Sequence, residues 1–112
     1  MKQWPLSYED EDELLDDAKA FLEALSRRGV TALRICDRYT AGIPDILCCV
    51  QGKFVGIELK DDSGLPSVPQ ERTIERIIKA GGVAGVCRSI YDIVDLLNKA
   101  VGYECYRTTG KR

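Results

Sequence analysis

The sequence predicts an α/β domain of order αβββαβα, a small mixed sheet flanked by helices. Three observations carry that expectation. Apolar residues recur at helical spacing in an N-terminal stretch, in a middle stretch and near the C-terminus. Two apolar runs, split by Gln51-Gly52-Lys53, read as a β-hairpin. Short apolar runs at Val30–Ile35 and Val83–Cys87 supply the other strands. At 112 residues the chain fits one domain, 1–112, with a core over about 8–100 and a tail 101–112 that carries no pattern.

The first helix is expected from about residue 8 to 27, with Ser7 as its cap and Gly29 as its stop. Leu14, Ala18, Leu22 and Leu25 form its apolar stripe. After the first strand, Gly42 and Pro44 mark a turn. Strands follow at Asp45–Val50 and Phe54–Lys60, joined by the three-residue break. Residues 61–69 form a loop by composition. A second helix spans Gln70–Ala80 with Ile74, Ile77 and Ile78 on one face, and Gly81-Gly82 ends it. A last helix runs from Ile90 to Ala100, capped by Ser89.

No apolar run is long enough to span a bilayer, and the N-terminus lacks a secretory pattern, so an intracellular, cytoplasmic chain is expected. There is no histidine, and the five cysteines show no CxxC spacing, which argues against a zinc site or a histidine triad. Reduced core thiols are the simplest account of the cysteines. Residues 1–17 carry seven acids and only Lys2 as a base. Removing these from the chain's 18 acids and 16 bases leaves 11 and 15. A mildly basic body permits nucleic-acid binding without establishing it.

Three charges stand awkwardly in the hairpin: Asp45 opens one run, while Glu58 and Lys60 end the other. Residues two apart on a strand face the same side, and an antiparallel hairpin brings Asp45 and Lys60 toward one edge. Two carboxylates can hold a hard divalent cation beside a phosphodiester, and a lysine can orient or deprotonate the attacking water. From the triplet alone a structural ion pair is the simpler account, since Asp17-Ala18-Lys19 matches it too. The neighbouring strand's Asp45, and Gln70 after the next loop, favour a site.

Gly42-Ile-Pro-Asp-Ile46, the hairpin, Gly56-Ile-Glu-Leu-Lys60, a Gly/Pro loop, Gln70 and an Ile-rich helix ending Ala80-Gly-Gly82 together resemble the VRR-NUC family. That family belongs to the PD-(D/E)xK nuclease superfamily, and the resemblance covers about residues 8–98. It implies a restriction-endonuclease-like core and phosphodiester hydrolysis with Mg²⁺ or Mn²⁺. It further implies Asp45, Glu58 and the Leu59 backbone carbonyl as metal ligands, Lys60 as the water-activating residue and Gln70 as a site residue. A first-helix glutamate completes the family's metal site. Glu11, in phase with Leu14, Ala18 and Leu22, fits it best, with Glu13 and Asp17 as alternatives. Arg34, Arg38, Arg72, Arg76 and Lys79 are candidate phosphate contacts, and Tyr39 a candidate stacking residue; ordinary surface charge explains each basic residue equally well. Stand-alone relatives of this size resemble phage and mobile-element homodimers that cut branched DNA such as Holliday junctions. The rival classes are an inactive nucleic-acid-binding module and a structural or oligomerisation domain.

Overall fold

The computed structural model describes residues 3–36 and 40–108. Its elements are α1 (Glu11–Ala24), a 3₁₀ turn (Ser26–Arg28), β1 (Val30–Arg34), β2 (Ile46–Val50), β3 (Lys53–Leu59), α2 (Val68–Lys79), β4 (Val83–Cys87) and α3 (Ile90–Val101). The expected order is present, with the 3₁₀ turn added. Strands lie in the order β1-β2-β3-β4; the first three are antiparallel, and β4 is parallel to β3. A parallel return needs a crossover connection, and α2 supplies it.

Strand alternation divides the sheet into two unequal faces. Val30, Ile46, Cys48, Val55, Ile57, Leu59 and Cys87 point into one core with Leu14, Ala18 and Leu22 of α1 and Ile90, Ile93 and Leu97 of α3. The opposite face receives α2, which contacts only β3 and β4 among the strands. Gly56 makes that approach feasible: a Cβ there would meet Ile77 Cδ1 at 3.0 Å and Pro44 Cγ at 3.1 Å. No residue of α2 is fully buried, and Ile78 is 51% exposed, so the helix is held by one narrow seam.

Several local expectations are corrected. Asp10, not Ser7, caps α1, its carboxylate accepting from Asp12 N at 2.8 Å. Ser7 is displaced from that role because Tyr8 is buried and tied by its backbone to Asp62: Tyr8 N donates to Asp62 Oδ1 at 3.0 Å, and Asp62 N donates to Tyr8 O at 2.9 Å. The hairpin turn has two residues rather than three, since Val50 pairs with Lys53. Gln51 and Gly52 take φ of 49° and 87°, the left-handed pair that suits the twist of a tight hairpin. The second helix starts at Val68, two residues early, because Ser67 caps it and Pro69 sits in its first turn, where a missing N–H costs nothing.

The cysteines do not all join the core. Cys48 and Cys87 are buried, and burial raises both thiols, Cys48 to about 12. Cys49, one residue on, faces outward by strand alternation, and Cys36 is exposed. The unpatterned tail is ordered by side chains instead. Asn98 Oδ1 accepts from Cys105 N and Tyr106 N, while Asn98 Nδ2 donates to Tyr106 O. Tyr106, 1% exposed, donates from its hydroxyl to Arg28 O at 2.7 Å.

Candidate active site

The register of the hairpin fixes the carboxylates. Ile46 pairs with Ile57, so the next positions out, Asp45 and Glu58, are cross-strand neighbours. Asp45 Oδ2 accepts from Leu59 N at 2.7 Å, which pins its carboxylate to β3. The charges therefore gather at the end of central strands, not at a lateral edge of the sheet. That placement removes the weak, exposed ion pair as an account: Glu58 is only 2% exposed.

Glu58 Oε2 has two partners. Lys60 Nζ lies 3.6 Å away, and Gln70 Nε2 donates at 2.7 Å. The backbone of Lys60 is itself anchored, its N–H donating to Cys87 O at 3.2 Å. Gln70 occupies the third position of α2 and closes a capping box: Ser67 N donates to Gln70 Oε1 at 2.7 Å, and Gln70 N donates to Ser67 Oγ at 3.3 Å. With its oxygen committed to the helix cap, the amide must aim its NH₂ at Glu58. Thus α2 orients a donor toward the buried acid.

Glu58 Oε1, by contrast, is buried and receives no donor. Burial raises the pKa of Glu58 to about 7, Asp45 adds to the rise, and Lys60 opposes it. Two facing carboxylates in this setting need a shared proton or a cation between them.

The helix acids sort themselves by position. Glu11 opens α1 and feels Lys60, Asp45 and Asp61, although burial is the main cause of its raised pKa. It shares a cleft of about 40 Å³ with Asp12, Leu15, Arg34, Asp45 and Leu59. Asp17 is committed elsewhere, accepting from Tyr8 Oη at 2.6 Å. Among the described residues, no group of three His, Cys, Asp or Glu side chains is assembled to hold a metal alone. The residues that could contribute to such a site are the Asp45–Glu58 pair, with Glu11 at its border.

Arg34 reaches this cleft; its guanidinium donates to Ile35 O and lies 3.4 Å from Asp45 O. Arg38 and Tyr39 lie outside the described residues. Arg72, two residues past Gln70, is turned to the far side of α2 by helical geometry. Arg76 lines a separate groove with Ile43, Phe54, Thr73 and Ile77, and Lys79 ends the helix, exposed.

Sequence reading missed the frame around the site. Arg88, just past β4, donates from Nη1 to Asp61 O at 2.6 Å, fixing the residue after Lys60. Asp61 Oδ1 accepts from Ser63 N and Gly64 N, an Asx turn whose signal was the Asp-x-x-Gly spacing. The Tyr8–Asp62 tie had no local signal at all.

No family model matches the chain, and no curated protein does. A solved structure described as a VRR_NUC domain is similar at 26% identity, over 86% of this chain and 97% of its own, with a TM-score of 0.62. A likeness spanning nearly the whole of that domain, over the same mixed α/β fold, supports a VRR-NUC, nuclease-type domain for this chain.

Proposed function

We propose that the chain is a Mg²⁺- or Mn²⁺-dependent deoxyribonuclease that hydrolyses phosphodiester bonds, working as a homodimer on branched DNA such as four-way junctions. The observation that carries the metal dependence is the donorless, buried Glu58 Oε1 beside Asp45. An acceptor left so costs about 1–3 kcal/mol, which a bound cation offsets. The donors are all carboxylate or carbonyl oxygens, as hard divalent cations require.

In this reading Asp45, Glu58 and the Leu59 carbonyl would hold the cation, and Glu11 would complete the site from α1. When bound, the cation supplies charge neutralisation at the phosphate and a more acidic water. Lys60, anchored through its backbone to β4, would orient the attacking water, act on it as a base once deprotonated, or offset charge on the phosphate. Gln70 holds Glu58 Oε2 so that Oε1 stays available. Arg34 approaches the phosphate from the cleft wall. Arg38 and Arg76 add sequence-independent contacts to more distant phosphates, whereas Arg72 and Lys79 lie away from the site.

The test is incubation with labelled duplex, single-stranded, flap and four-way-junction DNA, in Mg²⁺, Mn²⁺ or EDTA. Metal-dependent cleavage, fastest on the junction, is the expected outcome. Binding without cleavage in either metal would make the chain a recognition module instead. Equal rates on duplex and junction would remove the branched-DNA preference and leave the nuclease.

A further inference from the structure

We propose that the free edge of β1 pairs antiparallel with β1 of a second copy, forming one continuous sheet across a two-fold axis centred on Ala32. β1 ends the sheet and has only β2 beside it. Among the described residues it lacks the usual protections of an edge: no proline, no bulge, and Arg34 as its sole charge. Thr31, Ala32, Leu33 and Arg34 are all exposed, Leu33 by 60%.

The hydrogen-bond pattern selects the register. Ile35 N donates to Asp45 O, and Gln51 N donates to Gly29 O, so odd-numbered positions bond inward to β2. By antiparallel alternation Val30, Ala32 and Arg34 point their N–H and C=O groups outward. Pairing centred on Ala32 sets Ala32 against Ala32 of the second copy and Val30 against its Arg34. Every outward donor and acceptor is then matched, which a one-residue slip does not achieve.

Charge agrees with that register. Val30, Ala32 and Arg34 face the α1 side, where they line a cleft of about 310 Å³ together with Lys19, Glu23 and Ser26. Glu23 makes no ion pair among the described residues. The two-fold brings Arg34 of each copy opposite Val30 of the other, at the cleft that Glu23 also lines. On the other face, Leu33 of each copy meets Thr31 of the other and extends an apolar strip through Leu47 and Cys49 of β2, which α2 does not contact. The contact is isologous and closes at two copies.

This inference supplies the interface for the homodimer in the proposed function, and it rests on that reading only for the dimer's purpose. Sedimentation of the full chain over roughly 10–100 µM tests it, with dimerisation read as a shift from monomer mass. The expected mass is twice the 12.5 kDa of one chain. Ala32→Pro deletes an outward N–H, a change that an edge strand tolerates, and should weaken association by at least ~30-fold with circular dichroism unchanged. Leu33→Lys should do the same by charging the edge, and it decides the matter should Ala32→Pro misfold. A monomer at every concentration, or folded variants that dimerise like the parent, would overturn the interface. Nicking measured on the same samples separates the two ideas: a monomer that cleaves DNA keeps the nuclease and removes the edge pairing, and an inactive edge-paired dimer does the reverse.

Discussion

Gln70 Nε2 donates to Glu58 Oε2 at 2.7 Å while Oε1 of the same amide accepts from Ser67 N at 2.7 Å. One side chain thus closes the N-terminal box of α2 and restrains the buried acid of β3. Helix capping and site geometry are coupled through it, so each can be perturbed separately.

Ser67→Ala should remove the cap oxygen and cost about 1 kcal/mol in chemical denaturation. It leaves the Gln70 amide in place, and cleavage should fall less than about threefold. Gln70→Glu keeps an acceptor for Ser67 N but removes the donor to Glu58 and sets a carboxylate against it, so cleavage should fall at least tenfold, and the denaturation midpoint should fall at pH 8 and recover as the pH is lowered. Equal activity losses in the two variants would show that Gln70 acts only as a cap.

Glu58 carries a pH signature. Its folded pKa of about 7 lies above the ordinary 4.5, so below 4.5 the acid is protonated in both states and costs nothing. Between 4.5 and 7 the unfolded chain loses this proton first, and the group's contribution to stability falls as pH rises. Denaturation without metal should therefore show a declining component over that window, flattened in Glu58→Gln. The same variant should be more stable than the parent at pH 8 yet bind Mg²⁺ more weakly in the presence of DNA, as read by calorimetry. Unchanged Mg²⁺ affinity would remove Glu58 from the ligand set.

Gly42 sits at φ 84°, and a Cβ there would collide with the Pro69 carbonyl and lie 2.9 Å from Thr73 Oγ1. Gly42→Ala should destabilise by about 2–4 kcal/mol through strain and displacement of the first turn of α2. Because that turn carries Gln70, cleavage should fall below what the lost stability alone explains. Denaturation and single-turnover cleavage on the folded fraction separate the two effects.

Asp62→Ala removes the acceptor for Tyr8 N and should cost about 1–2 kcal/mol. Backbone hydrogen exchange should quicken at residues 8–12, at the entry to the helix that carries Glu11, and remain unchanged in α3.

The parts of this fold that were legible in the sequence are those written in local patterns. Ser89 caps α3, which begins at Ile90, as expected, and accepts from Asp92 N. The alternating runs around Gln51-Gly52 located the hairpin, and its register then set Asp45 across from Glu58. Long-range ties were invisible. Tyr8 and Asp62 are 54 positions apart, and their tie decided where α1 starts; Asn98 ordered a tail that carries no periodicity. Candidate residues followed the same division: Asp45, Glu58, Lys60 and Gln70 converge, whereas Arg72 and Lys79 were chosen by charge alone, which carries no information about direction.

The central claim is that Asp45, Glu58 and Lys60 form a metal-dependent hydrolytic site, and nicking of supercoiled DNA tests it most directly. Parent protein in Mg²⁺ or Mn²⁺ should convert the plasmid to open-circle and linear forms, EDTA should abolish this, and folded Lys60→Ala should be slower by at least ~100-fold. Cleavage that persists in EDTA, or a Lys60→Ala variant as fast as its parent, would contradict it.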